Sequence, residues 1–327
     1  QHRRHLRTPW PYTTIGLALC SMIPVVWWNL RHAWITAQHT GHHFEGHGQP
    51  LLHGALTLLE FFASQLLVVS PLTAMLIFAV LTACLFRFRH LDDRARLLLF
   101  FGPLPLCGFA LIALRQRINA NWPAVVYVGG CLLVAAWALG EVDLGKRVNR
   151  WRKYLPHAVV TGAAMAPLTL LGPFLYSLFG LSGAKFDPYR RVRGWEVFAD
   201  SINDELTSAP RPAQTFLLVR QRQFASQLAF YMPGNPRVYR WAGDPRRIGS
   251  QYELWEGPFP SREGWDALVL ISPDRSLPPE LHECFETVRR AGTLSIPIAA
   301  RGHRDLVVYH AANLYRWPQR ETLNQNP

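Results

Sequence analysis

Five long runs of apolar residues occupy most of the first 184 residues of this 327-residue chain and strongly limit its fold. A helix needs roughly 17 to 25 mostly apolar residues to cross the hydrocarbon core of a bilayer. Runs of that order occur at about 12–28, 61–86, 97–114, 123–139 and 157–181. We therefore predict an α-helical polytopic membrane protein with about five transmembrane helices.

The charged residues divide the chain into two regions. Of its 22 acidic residues, six lie in residues 1–184 and sixteen in residues 185–327, where the composition is that of a soluble domain. The five cysteines have no disulfide or metal-ligand spacing, since four lie inside apolar runs and Cys284 stands apart. We predict a transmembrane region at 1–184 and a small extracytoplasmic α/β domain at 185–327.

Lysine and arginine in short loops mark the cytoplasmic side of a membrane protein. The loops on one side hold twelve of these residues, in clusters at 3–7, 87–96 and 146–153, and the other side holds Arg31, Arg115 and Arg117. We predict that the larger set is cytoplasmic and that the chain after about residue 182 is external. Because this asymmetry accounts for most of the net charge of +12, that charge does not indicate a nucleic-acid partner.

The last region alternates strand and helix patterns. Apolar segments at 214–220, 266–272, 293–299 and 305–311 predict strands, and apolar positions at helical spacing predict helices at about 194–206 and 279–291. This last region contains neither a GxGxxG nor a Walker-type GxxxxGK(S/T) motif, so nothing marks it as a nucleotide site.

The stretch RQRINANWPA, residues 115–124, is the first candidate site. Its polar and aromatic members are Arg115, Arg117, Asn119, Asn121 and Trp122. Two arginines at the external face could hold a phosphate, because a guanidinium presents several donors in one plane. The other interpretation is that these arginines extend toward lipid headgroups and that the tryptophan belongs to an aromatic belt. Residue types alone favour this second interpretation.

The stretch HTGHHFEGHGQP, residues 39–50, is the second candidate. His43 and His47 have a spacing that could share a metal on a helix, but three glycines predict a loop. A solvated loop is the favoured interpretation, followed by contacts of His42, His43 and Glu45 with a donor or acceptor. A metal site ranks last, so no cofactor is assigned, and a divalent metal is neither indicated nor excluded.

The stretch FDPYRRVRGW, residues 186–195, follows the fifth run. Its arginines could contact anionic headgroups, but docking of the external domain onto the membrane region is the favoured role. Tyr189 and Trp195 would then be interfacial anchors.

Five segments in order resemble the C-terminal portion of bacterial membrane glycosyltransferases of family 39, which are related to dolichyl-phosphate-mannose-protein mannosyltransferases and aminoarabinose transferases. They are PVVWWNLRHAWITAQHT at 24–40, SQLLVVSPL at 64–72, NANWPAVVY at 119–127, DPYRRVRGWEVFA at 187–199 and FASQLAFYMPGNPRVY at 224–239. The third departs from the family's NWPAPAY by carrying Val125 and Val126. The resemblance implies a C-type glycosyltransferase-like fold in the bacterial inner membrane.

The resemblance also implies an inverting sugar transfer at the external face. The partners would be membrane lipids, a polyprenyl-phosphate-linked sugar donor and a hydroxyl acceptor on a protein, lipid or glycan. Arg115 and Arg117 would stabilise the leaving phosphate. The family's acidic catalytic loop has no counterpart here, so no catalytic residue is assigned. The chain is expected to be a fragment, or to pair with a separate N-terminal half, and to be inactive alone.

Two other function classes remain open at this point. The chain could be a non-catalytic membrane anchor that presents the α/β domain as a binding or scaffolding module. A transporter component is less favoured, because no run contains the charged residue that ion-coupled transport usually needs.

Overall fold

The structure, a computed structural model, describes residues 6–32, 34–42, 51–242 and 250–318. In these residues the helices are α1 (Trp10–Arg31), α2 (Ile35–His42), α3 (Leu51–Val68), α4 (Pro71–Phe86), α5 (Asp93–Phe101), α6 (Pro105–Ala113), α7 (Val126–Ala138), α8 (Lys146–Asn149), α9 (Leu155–Leu178), α10 (Trp195–Thr207) and α11 (Arg222–Tyr231). The strands are β1 (Thr215–Val219), β2 (Val238–Arg240), β3 (Asp266–Ile271), β4 (Phe285–Pro297) and β5 (His303–Leu314). The chain forms two compact units, a helical unit of residues 42–172 and a sheet unit of residues 1–41 and 173–327.

Three helical segments in the described residues are long and apolar enough to cross a membrane: Trp10–Arg31, Asp93–Ala113 and Lys146–Leu178. The bent pair α3 and α4 adds a fourth candidate if it forms a single span. The predicted run 123–139 corresponds to a shorter apolar helix, Trp122–Ala138. The helical prediction is therefore confirmed with three to four candidate spans, and the fifth stays a prediction.

The run 61–86, which was predicted to be one span, is divided between two helices whose axes are bent by 119°. Pro71 disfavours a helical conformation at Ser70 and has no backbone N–H to donate. Ser70 has a φ of 79°, and its Oγ accepts a hydrogen bond from the Thr73 N–H at 3.4 Å. This serine caps α4, so the chain restarts a helix in a new direction.

The helical unit has a continuous apolar core formed by its helices and their connections. Leu99 of α5 and Leu133 and Trp137 of α7 are fully buried in it. Gly102, just after α5, meets Gly129 of α7 so closely that a methyl group on either glycine would collide with the other's backbone. Small residues at such a contact allow two membrane helices to approach each other.

The sheet unit contains a five-stranded mixed sheet in the order β2-β1-β3-β5-β4. Strands β2, β1 and β3 are parallel, and β5 is antiparallel to both of its neighbours. Apolar side chains of α10 and α11, among them Phe198 and Phe224, form one core with the strands, and a second core contains Phe216 and Phe285. The predicted mixture of helices and strands is confirmed, including the helix at 194–206.

The predicted helix at 279–291 is wrong. A short 3₁₀ turn covers Pro279–Glu283, and the chain then enters the long strand β4 at Phe285. Gly292, the residue that follows the predicted helix, lies at a shift in the pairing register between β4 and β5. The apolar positions match a helical spacing, but the hydrogen bonds of this segment are made with β5, a pairing that local spacing does not reveal.

Candidate functional site

The stretch RQRINANWPA forms the connection between α6 and α7. The Arg115 and Gln116 N–H groups donate to the Ile112 carbonyl at 2.9 and 3.0 Å, which turns the chain away from α6. Ile118 and Pro123 are buried and hold the connection against the helical unit. Four polar side chains near these two buried residues are exposed: Arg115, Arg117, Asn119 and Asn121. The connection therefore presents its polar groups outward.

Helix α3 fixes the start of this connection through three positions spaced by three residues. Gly54 packs directly against the Leu114 carbonyl, and a methyl group there would lie 2.5 Å from that oxygen. The Thr57 hydroxyl donates to the Ala113 carbonyl at 2.6 Å. One turn further, Glu60 forms an ion pair with Arg117. Positions i, i+3 and i+6 lie on one side of a helix, so α3 holds the connection along that side.

The ion pair partly compensates the charge of Arg117. Its side chains are 78% exposed for Arg117 and 48% for Glu60, so water screens the pair and its contribution to stability is small. Among the described residues, no carboxylate pairs with Arg115. Two guanidinium groups, one with a weakly held carboxylate partner, can thus offer donors to an anion.

Trp122 lies half-buried against the core of the helical unit. Below it, the Tyr127 hydroxyl donates to the side-chain oxygen of Gln65, which is fully buried on α3. The Gln65 amide in turn donates to the Ser64 hydroxyl at 2.8 Å. These hydrogen bonds link α3 to the first turn of α7, next to the α6–α7 connection. They help to hold that connection in place.

The second candidate stretch lies largely beyond the structure's description. His42 is the last residue of α2, and its side chain is not described, while His43 and Glu45 lie outside the described residues. In the described parts of the chain, no group of three or more His, Cys, Asp or Glu side chains could hold a metal ion.

The stretch FDPYRRVRGW has an internal structural role. Its buried Asp187 accepts hydrogen bonds from the Gly183 and Tyr189 N–H groups, both at 2.8 Å, and from the Arg193 Nε at 2.9 Å. Trp195 is buried and lies 3.6 Å below the Arg304 guanidinium. The prediction that Trp195 is an interfacial anchor is wrong, because helix α10 directs this side chain into the core of the sheet unit.

The comparisons with known proteins add one relative. The lipid A galacturonosyltransferase RgtD of Rhizobium johnstonii is 34% identical to this chain over 128 residues. The matched segment covers 38% of this chain and 25% of that protein, so the chain spans about a quarter of the length of the curated relative it matches. No family model matches the chain, and no solved structure matches it.

Proposed function

We propose that this chain is the C-terminal part of a membrane glycosyltransferase. It would transfer a sugar, with inversion, from a polyprenyl-phosphate-linked donor to a hydroxyl group at the external membrane face. The acceptor would be a protein, lipid or glycan. The proposal is supported by the five ordered segments that resemble family 39 and by the similarity to a protein named as a galacturonosyltransferase.

The observation that carries the proposal for the site is the pair of exposed arginines in the α6–α7 connection. During transfer, the acceptor oxygen forms a bond to the anomeric carbon while the bond from that carbon to the phosphate oxygen breaks. The acceptor proton passes to a general base, and the polyprenyl phosphate leaves with the electron pair. Arg115 and Arg117 would donate to this phosphate as its charge grows.

We assign the role of general base to no residue of this chain. The resemblance places it in an acidic loop to which no segment here corresponds. Glu60 already pairs with Arg117, and we assign to it the positioning of that guanidinium. Asn119, Asn121 and Trp122 would line the donor site, with Trp122 held from below by the core. The transmembrane region at 1–184 and the external domain at 185–327 remain part of the proposal.

The site is tested by replacing each arginine in the full-length protein. We expect Arg115→Ala and Arg117→Ala each to lower the rate of sugar transfer about a hundredfold, which is typical for loss of one donor to a developing anion. Arg117→Lys would recover part of the rate, because lysine restores the charge without the planar donor pair. The measurement is transfer of a labelled sugar from a polyprenyl-phosphate donor in proteoliposomes.

A matched control is Arg89→Ala, which removes an exposed arginine from a predicted cytoplasmic loop. This variant should keep the wild-type rate, and all variants should insert into the membrane equally. Full activity of both Arg115→Ala and Arg117→Ala would eliminate the phosphate role. Failure of the intact protein to transfer sugar would favour the alternative of a non-catalytic membrane anchor.

A further inference from the structure

A cleft of about 410 Å³ lies in the sheet unit beside the edge strand β2. One wall is formed by residues 237–242, which include β2, and the others by residues 252–259 and 317–318. Six aromatic side chains line it: Tyr239, Trp241, Tyr252, Trp255, Phe259 and Trp317. The proposed transfer site uses none of these residues.

The aromatic residues of the cleft include a packed pair, Trp241 and Trp317, and an exposed tryptophan, Trp255. Trp241 is buried and meets Trp317 edge-to-face, with ring centroids 5.0 Å apart at 84°. Gly257 allows the chain to approach this pair, because a methyl group there would lie 2.7 Å from the Trp317 Nε1. Trp255 is held edge-to-face by Tyr252 at 5.1 Å but remains 52% exposed. The Trp255 indole is therefore held by a neighbouring ring, while about half of the residue stays open to solvent.

The charged residues that line the cleft are two arginines and two glutamates, Arg237, Arg240, Glu253 and Glu256, so anion recognition there depends on the donors of one guanidinium and not on a net charge. Arg240 is neutralised by its ion pair with Glu253, and its Nε donates to the Arg220 carbonyl at 3.1 Å. Arg237 lies 5.2 Å above the Tyr239 ring and donates to the backbone carbonyl of Glu256. A carbonyl carries no formal charge, so this contact orients the exposed Arg237 guanidinium without neutralising it.

The place of the cleft in the sheet also fits a ligand site. Strands β1 and β2 run parallel, and the cleft includes the carboxyl end of β2 at Arg240 together with the following Trp241. In open α/β sheets, ligands bind outside the carboxyl ends of the strands, so the cleft lies at the ligand-binding edge of the sheet, one strand away from the reversal of strand order between β1 and β3. Pockets for small molecules combine aromatic walls with a few oriented polar groups, which is the combination found here.

We propose that this cleft is a binding site for a saccharide that carries an acidic group. The C–H face of a sugar ring stacks on the Trp255 indole, and its acidic group accepts hydrogen bonds from Arg237. This binding function belongs to the sheet unit and does not depend on the proposed transfer reaction.

The test uses the full chain in phosphatidylcholine nanodiscs, because detergents with sugar headgroups would compete for the cleft. The probes are trigalacturonate and its methyl ester, which has the same rings without the charges, and binding is measured by isothermal titration calorimetry. We expect the wild type to bind the acid at least tenfold more tightly than the ester. Trp255→Ala should weaken binding of the acid about tenfold, which corresponds to about 1.4 kcal/mol.

Arg237→Gln should remove most of the preference for the acid over the ester. The matched controls are Phe230→Ala and Arg289→Gln, which alter an exposed aromatic and an exposed arginine of the same unit outside the cleft. Both controls should bind like the wild type, and thermal melts should show that every variant is folded. Equal binding of acid and ester would overturn the acidic specificity. Absent binding, or unchanged binding by folded Trp255→Ala, would overturn the site.

Discussion

Asp187 shows how a single buried carboxylate organises the segment that follows α9. Burial raises the pKa of its carboxyl, but hydrogen bonds from the Gly183 and Tyr189 N–H groups and the Arg193 charge outweigh burial and hold the pKa below its ordinary value of 3.8. Arg193 also donates to the Pro173 carbonyl at 2.7 Å. The charged form therefore joins the end of α9 to the loop that leads into α10.

Replacing this carboxylate should destabilise the sheet unit. We expect Asp187→Asn to cost about 2–3 kcal/mol in free energy of unfolding, since it leaves the largely buried Arg193 without its counter-charge. The folded pKa is depressed, so the stabilisation is present above the ordinary value of 3.8 and is lost as the pH falls through the folded pKa. The melting temperature, measured between pH 7 and 3, should fall more steeply below about pH 4 for the wild type than for the variant.

The control for this prediction is Asp200→Asn, which alters an exposed carboxylate on α10. Its melting temperature should stay close to that of the wild type across the same range. Equal stability of Asp187→Asn and the wild type at pH 7 would refute the structural role of the Asp187 network.

The two arginines of the candidate site could be proposed from the sequence alone, but the ion pair of Arg117 with Glu60 could not. Arg115 and Arg117 were identifiable because they interrupt apolar runs on the side with few basic residues. Glu60 lies 57 residues from Arg117 in the chain, and only the packing of α3 against α6 brings the two together. Trp195 failed as a predicted anchor for a similar reason, because nothing local in the sequence distinguishes a buried tryptophan from an interfacial one.

Among the contacts between helices, that of α5 with α7 depends on Gly102. A methyl group added there would lie 2.5 Å from the Leu98 carbonyl oxygen and 2.6 Å from the Gly129 carbonyl carbon. Both are backbone atoms, which can move only if a helix moves. We expect Gly102→Ala to destabilise the helical unit by about 1–3 kcal/mol through overpacking.

Gly108→Ala is the matched control for this substitution. Gly108 lies inside α6 with no atom near enough to contact an added methyl group, so alanine should be neutral or slightly stabilising there. Thermal unfolding in the same membrane mimetic compares the two variants. If both shifted the midpoint equally, the contact of Gly102 with Gly129 would not be the cause.

Elements with a clear local pattern were predictable, and those that depend on distant pairing were not. Helix α10 was predicted because its apolar residues recur on one face and are buried as expected. The first part of strand β4, residues 285–291, was mistaken for a helix because it lies at the edge of the sheet, where most of its side chains are not buried and no alternation marks a strand, whereas the second part lies in the predicted strand at 293–299. The short helix α11 and strand β2 were missed, although the segment at 224–239 that resembles the family includes most of both.

For the whole molecule, the charge asymmetry of the sequence has a counterpart in the helical unit. Arg87 lies against Gly145, where an added methyl group would be 2.6 Å from the Arg87 Nη1. The Gly145 N–H and the Asn149 amide, followed by the charges of Arg87 and Arg152, lower the pKa of the Asp143 carboxyl. Two basic clusters that are distant in sequence therefore meet at one end of this unit.

The candidate site lies at the other end of α7. The connection with Arg115 and Arg117 precedes this helix. The basic cluster at 146–153 follows it, and Arg87 of the cluster at 87–96 lies against Gly145 at that same end. A 13-residue helix is about 20 Å long, so the two sets are separated by most of a bilayer core. This separation supports the proposed orientation, in which the basic clusters are cytoplasmic and the two arginines are external.

That orientation can be tested by introducing single cysteines and labelling them from outside. The native thiols set the background of this measurement. The wild type should react little with a membrane-impermeant maleimide, because Cys284 is buried with its pKa raised to about 11, and thiolate is the reactive form. The other four cysteines lie within the apolar helices α1, α4, α6 and α7. The wild type therefore serves as the background control for labelling of each introduced cysteine.

We expect Asn119→Cys and Ser208→Cys to be labelled in intact spheroplasts and Arg94→Cys to be labelled only after permeabilisation. All three positions are exposed, so differences in labelling report the side of the membrane. One predicted crossing separates residue 94 from residue 119, and two separate residue 119 from residue 208. Labelling of Ser208→Cys only after permeabilisation would mean an odd number of crossings after the candidate site. Labelling of Arg94→Cys together with Asn119→Cys would show that the segment Asp93–Ala113 does not span the membrane, and the external phosphate site would then lose its topological support.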